Sequence, residues 1–132
     1  MPNQPARCYD HMWKRQNTDV LKINVDAAFQ HETHSGATGA ITRDGRGIFI
    51  AAATCFFPQV CSVSSTEMKM IRNGLYLAGR IGSNKVLIKS NCSFVLDSLK
   101  APETYVGSDV TTILESKQLA LDFASISYMH RL

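Results

Sequence analysis

The sequence predicts an α/β domain with a mixed five-stranded sheet: an antiparallel three-strand meander, then helix, strand, two helices and a last strand. Three observations carry this expectation. Outward and inward side chains alternate with period two over residues 20–29, and two further strand-like runs flank a Gly-rich turn within 36–57. The apolar period then becomes helical between Ser64 and Ile81. A short apolar run at 85–90 follows, as expected of a strand buried on both faces.

Residues 1–18 hold two prolines, many polar side chains and no periodicity, so they read as a flexible N-terminal arm with Trp13 as a candidate anchor. Residues 19–132 form the domain. In VLKINVDAAF, Leu21, Ile23, Val25 and Ala27 point one way and Lys22, Asn24, Asp26 and Ala28 the other. In GATGAITRDGRGIFIAAATCFF, the turn Arg43-Asp44-Gly45-Arg46-Gly47 joins two strands as a hairpin. Ser64-Ser65-Thr66-Glu67 has the form of a capping box opening a helix that Gly82 closes, with Met68, Ile71, Leu75 and Ala78 on its apolar stripe. Gly74 on that side allows close approach to a sheet. Asn91 can cap the next helix, whose Val95 and Leu99 share a face until Ala101-Pro102 ends it. Ser108 can cap a third helix marked by Val110, Ile113, Leu114, Lys117 and Leu121, and FASISYM (123–129) alternates as a final strand.

A chain of 132 residues is long enough for one domain to bury a core without staples. Net charge is +3, too small by itself to argue for nucleic acid or a membrane. Its distribution is uneven: residues 1–89 carry eleven basic and six acidic side chains, residues 90–132 three and five. Cys8, Cys55, Cys61 and Cys92 form no CxxC and no ligand spacing with His11, His31, His34 or His130, which argues against zinc. His31 and His34 read as loop residues. The polar opening segment has no apolar signal-peptide core, and no apolar run is long enough to span a bilayer. The expectation is therefore an intracellular protein with four reduced thiols.

Three residues are candidates for chemistry. Asp26 is a carboxylate in the middle of an apolar strand, where desolvation is costly without hydration, a partner or a metal. It could equally face solvent near a strand end. Glu67 could be simply the fourth member of the capping box, and Asn91 simply a helix cap. In the expected fold the three could converge at one edge of the sheet.

The stretches LKINVDAAF, GATGAITRDGRGIFIAAATCFF, STEMKMIRNGLYLA and KVLIKSNCSFVLDSL, in this order and spacing, resemble the RNase H-like, reverse-transcriptase-like domain common in plant genomes and often derived from retroelements. The resemblance runs from about Trp13 to His130. It implies the RNase H-like fold and an endonuclease that cuts the RNA strand of an RNA–DNA hybrid with two Mg²⁺ ions held by acidic side chains. Two metals about 4 Å apart stabilise attacking and leaving oxygens, and Mg²⁺ requires carboxylates. On this resemblance Asp26 matches the first acid and Glu67 the second.

The remaining positions depart from the family. Where it has an acidic-Ser-Asp run, this sequence has Lys89-Ser90-Asn91, so an amide replaces the third acid beside a cation. The family continues past a His-centred segment into a last helix carrying another acid, whereas this sequence stops at His130-Arg131-Leu132. The resemblance thus implies a missing C-terminal helix and a sheet face left open, a surface able to pair with itself. The family's basic protrusion is matched by Glu103, Asp109 and Glu115, leaving Arg43, Arg46, Arg72 and the arm as phosphate contacts. The expectation is an RNase H-like domain with lost or impaired activity and weak binding of Mg²⁺ and of RNA–DNA hybrid. The alternatives are a working Mg²⁺-dependent nuclease and a non-enzymatic module that self-associates.

Overall fold

Leu21, Ile23 and Val25 are at most 1% exposed, while the intervening Lys22, Asn24 and Asp26 are half-buried or exposed, as their alternation requires. The computed structural model describes residues 7–12, 20–100 and 110–130. Its elements are β1 (Arg7–Met12), β2 (Leu21–Gln30), β3 (Ser35–Arg43), β4 (Phe49–Phe57), α1 (Val63–Ile81), β5 (Lys85–Ser90), α2 (Ser93–Lys100), α3 (Val110–Ala120) and β6 (Ser125–His130). One sheet has the order β1-β4-β3-β2-β5-β6. The strands β1, β4, β3 and β2 are antiparallel neighbours, and β5 joins β2 and β6 in parallel.

The expected meander, crossover helix and parallel strands are present, but the sheet has six strands rather than five. The added strand is β1, which lies within the segment expected to be a flexible arm and pairs with β4 from Arg7↔Phe56 to Met12↔Ala51. Its short, mixed-polarity sequence carries little signal because an edge strand has one partner only. The same pairing sets Cys8 opposite Cys55, and the two form a disulfide, correcting the expectation of four reduced thiols. Cys61 and Cys92 are not disulfide-bonded. Trp13, Ala101, Pro102, Glu103, Ser108 and Asp109 lie outside the described residues.

Helix α1 begins earlier than the capping box suggests. Ser62, not Ser64, is the N-cap, and its Oγ accepts from the Ser65 N–H at 3.2 Å. Gly82, in the left-handed region at φ 84°, ends the helix by donating its N–H to the Ala78 carbonyl. Met68, Ile71, Leu75 and Ala78 are buried against the sheet. Gly74 permits the close approach, since a Cβ there would stand 3.0 Å from Val25 Cγ1. The helices α2 and α3 extend this one core with Val95, Leu96, Leu99 and Ile113. The inner face of α3 is Thr112, Ile113 and Ser116, whereas the expected Leu114 and Leu121 are exposed. All three helices share the core on one side of the sheet, and no described helix covers the other.

Candidate functional site

Asp26 is exposed in β2, directly opposite Gly39 of β3, and accepts the Ala27 N–H on its own Oδ1 at 2.9 Å. Because Val25 faces α1, Asp26 projects from the opposite face of the sheet. There it lines a shallow depression of about 440 Å³ together with Arg7, Ala28, Ala37, Gly39 and Phe56. The last β2–β5 pair is Asn24↔Lys89, so the same register continued two residues sets Asp26 level with Asn91.

Asn91 is exposed, and its backbone carbonyl lies 3.0 Å from His130 Nε2. It does not cap the following helix: α2 opens at Ser93, and the Cys92 N–H is taken by Ser90 Oγ at 3.0 Å. The chain bends at Asn91 as it leaves β5, so Asn91 stands at the carboxyl end of the parallel strands.

Glu67 is half-buried in the second turn of α1. With the cap at Ser62 rather than Ser64, Glu67 falls outside the capping box, so that structural explanation no longer applies to it. It lies on the line of Ile71 and Gly74, two turns before the contact with Val25. At about 1.5 Å per residue this brings it roughly 10 Å along the helix, towards the same end of the sheet. The neighbouring Thr66 marks that approach, because a Cβ on Gly36 of β3 would stand 2.7 Å from Thr66 Oγ1. The fold therefore brings Asp26, Asn91 and Glu67 to one end of the sheet, with Glu67 in the helix layer and Asp26 on the other face. Among the described residues no group of three or more His, Cys, Asp or Glu side chains is placed to hold a metal.

The three candidate phosphate contacts do not form one patch. Arg72 is engaged between helices: its Nη1 lies 3.6 Å from Glu115 Oε1, and Nε donates to Asn73 Oδ1. Tyr76 Oη donates to the same Glu115 carboxylate at 2.6 Å, and that bond pushes the Tyr76 phenol above its ordinary range. Arg46 folds onto Asp44 in the β3–β4 turn at 3.5 Å. The Ile48 N–H, followed by the Arg46 N–H and guanidinium, holds the Asp44 carboxyl below its usual value. Arg43 alone is exposed on the face that carries Asp26. Lys22 and Lys89 occupy that face as well. Their outward register was visible in the strand alternation, but their adjacency requires the β2–β5 pairing.

A family model described as reverse transcriptase-like matches residues 24–132. No curated protein matches the sequence. Among solved structures, RNase H1 from the halophilic archaeon Halobacterium salinarum NRC-1 is similar with a TM-score of 0.77 at 16% identity, over 85% of each chain. The N-terminal RNase H domain of a Mycobacterium tuberculosis protein aligns with a TM-score of 0.76 at 14% identity, covering 86% of this chain and 84% of that one. LC11-RNase H1, solved in complex with an RNA/DNA hybrid, gives 0.72 at 9% identity over 84% of each chain. At these identities the likeness is one of fold.

Proposed function

Because the chain belongs to the reverse transcriptase-like family and has the RNase H-like fold, we propose that it is a nucleic-acid-associated RNase H-like domain in which hydrolysis of RNA–DNA hybrid is lost or severely impaired. The observation that carries this reading is the donor set at the end of the sheet. Two carboxylates, Asp26 and Glu67, approach from different layers, and the third position is the neutral amide of Asn91 beside Lys89.

Such a set does not fit a two-metal centre. Mg²⁺ is a hard ion that keeps several waters and needs anionic oxygen for charge balance. An amide oxygen supplies no charge, and the Lys89 ammonium, two residues before it, opposes cation binding. The association with nucleic acid rests on the family and on the relative solved with an RNA/DNA hybrid.

Calorimetric titration with Mg²⁺ and Mn²⁺ tests the reading. The wild-type chain should show weak or no saturable binding, and Asn91→Asp should tighten it while yielding little turnover. Saturable micromolar Mg²⁺ binding by the wild type, abolished by Asp26→Asn, would reverse the conclusion.

A further inference from the structure

The sheet face opposite α1 carries predominantly positive charge. Its cross-strand rows can be read from the pairing. One row is Arg43, Lys22 and Leu87, and the next is Ile41, Asn24, Lys89 and Met129. Beyond Asp26 and Gly39, the last row sets Ala28 and Ala37 beside Phe56 and Arg7. Counting Lys85, this face presents five cations, and Asp26 is the one acid at its described positions. None of Arg7, Lys22, Arg43, Lys85 or Lys89 joins an ion pair among the described residues.

Apolar groups are interleaved with these cations. Phe56 is 45% exposed, Ile41 41% and Met129 48%, all on the outward register. Next to Phe56, the floor of the 440 Å³ depression is made of Ala28, Ala37 and Gly39, and open space lies above Gly39. An accessible aromatic ring over a small-residue floor can stack a planar base, and flanking cations can follow a phosphate backbone.

We propose that this sheet face binds single-stranded nucleic acid, with Phe56 as a stacking platform and Lys22, Arg43 and Lys89 as phosphate contacts. The binding needs neither Glu67 nor a metal, so it is separate from the hybrid-hydrolysis reading. Charge complementarity selects this occupant over a second copy of the chain, since two copies meeting on this face would juxtapose their own cations. A duplex is a poorer fit, because its bases are stacked within the helix and cannot reach Phe56.

Fluorescence anisotropy with a labelled single-stranded oligothymidylate of about 15 nucleotides tests the proposal on the full chain. At about 50 mM salt, Lys22→Glu/Lys89→Glu should weaken binding at least about tenfold and shallow the log–log salt dependence by about 1.4, or 0.7 per lost contact. Phe56→Ala should weaken it about fivefold, consistent with one partly exposed stacking contact. Lys117→Glu, on the helix side, should leave it unchanged. All four positions are at least partly exposed, and thermal melts establish that each variant is folded. No binding at low salt, equal loss in Lys117→Glu, or insensitivity to the double variant would each overturn the proposal. A chain that sediments as a dimer and dissociates on Phe56→Ala would overturn it in favour of self-association.

Discussion

Gly36 and Thr66 are in such close register that a Cβ on the glycine would stand 2.7 Å from Thr66 Oγ1 and 2.9 Å from its Cγ2, with Val60 Cγ2 at 3.2 Å. This contact brings the first turns of α1 down onto β3 and so sets the height of Glu67 over the sheet. Gly36→Ala should destabilise the domain by about 2 kcal/mol through overpacking. Thr66→Ala in the same chain should recover part of that loss, because it removes the clashing atoms. Denaturant melts on the two single variants and the double variant measure the coupling; strict additivity would show that the contact is not close.

Ser62 is the cap of α1, and Ser64 lies inside the helix. Ser62→Ala should cost about 1 kcal/mol by orphaning the Ser65 N–H, whereas Ser64→Ala should change stability by less than about 0.5 kcal/mol. Equal effects in urea melts would place the helix start elsewhere.

The disulfide Cys8–Cys55 joins residues 47 apart and holds the edge strand β1 on β4. In the chain-entropy model closing a loop of this length stabilises by up to about 4 kcal/mol. Reduction should lower Tm, and amide exchange at residues 7–12 should rise before that of β2 or β5. Unchanged protection of β1 after complete reduction would mean the strand pairing alone suffices.

Asp44 accepts the Ile48 and Arg46 N–H groups, and its folded-state pKa lies below the unfolded value of 3.8. Its stabilisation is therefore complete above about pH 4 and is lost as pH falls through the folded-state value. Asp44→Asn should lower stability at neutral pH and flatten the acid limb of a Tm–pH profile. An acid limb identical to that of the wild type would show that Asp44 contributes nothing there.

Most of the fold was legible because its strongest signals are periodic. Leu21, Ile23 and Val25 announce β2, and Met68, Ile71, Leu75 and Ala78 announce α1, since each pattern matches the geometry of a single element. What was hidden depends on partners. Strand β1 exists by its register with β4, and the Cys8–Cys55 bond cannot be anticipated without that strand. Two serines, Ser62 and Ser64, could each open α1, and backbone geometry chose between them. Asp26, Glu67 and Asn91 were identifiable as residues of interest by type and resemblance. That Glu67 lies on the helix side and Asp26 on the opposite face, and that Lys22, Arg43 and Lys89 are neighbours across two rows of Asp26's face, follow only from the packing of α1 and the sheet pairing.

We propose that the donor set of Asp26, Glu67 and Asn91 does not support hydrolysis. Incubating the purified chain with an RNA/DNA hybrid labelled on its RNA strand, in Mg²⁺ and separately in Mn²⁺, tests it most directly. The RNA should remain intact, indistinguishable from a control without protein, for the wild type and for Asp26→Asn alike. Cleavage by the wild type that disappears in Asp26→Asn would contradict the claim and identify a working nuclease.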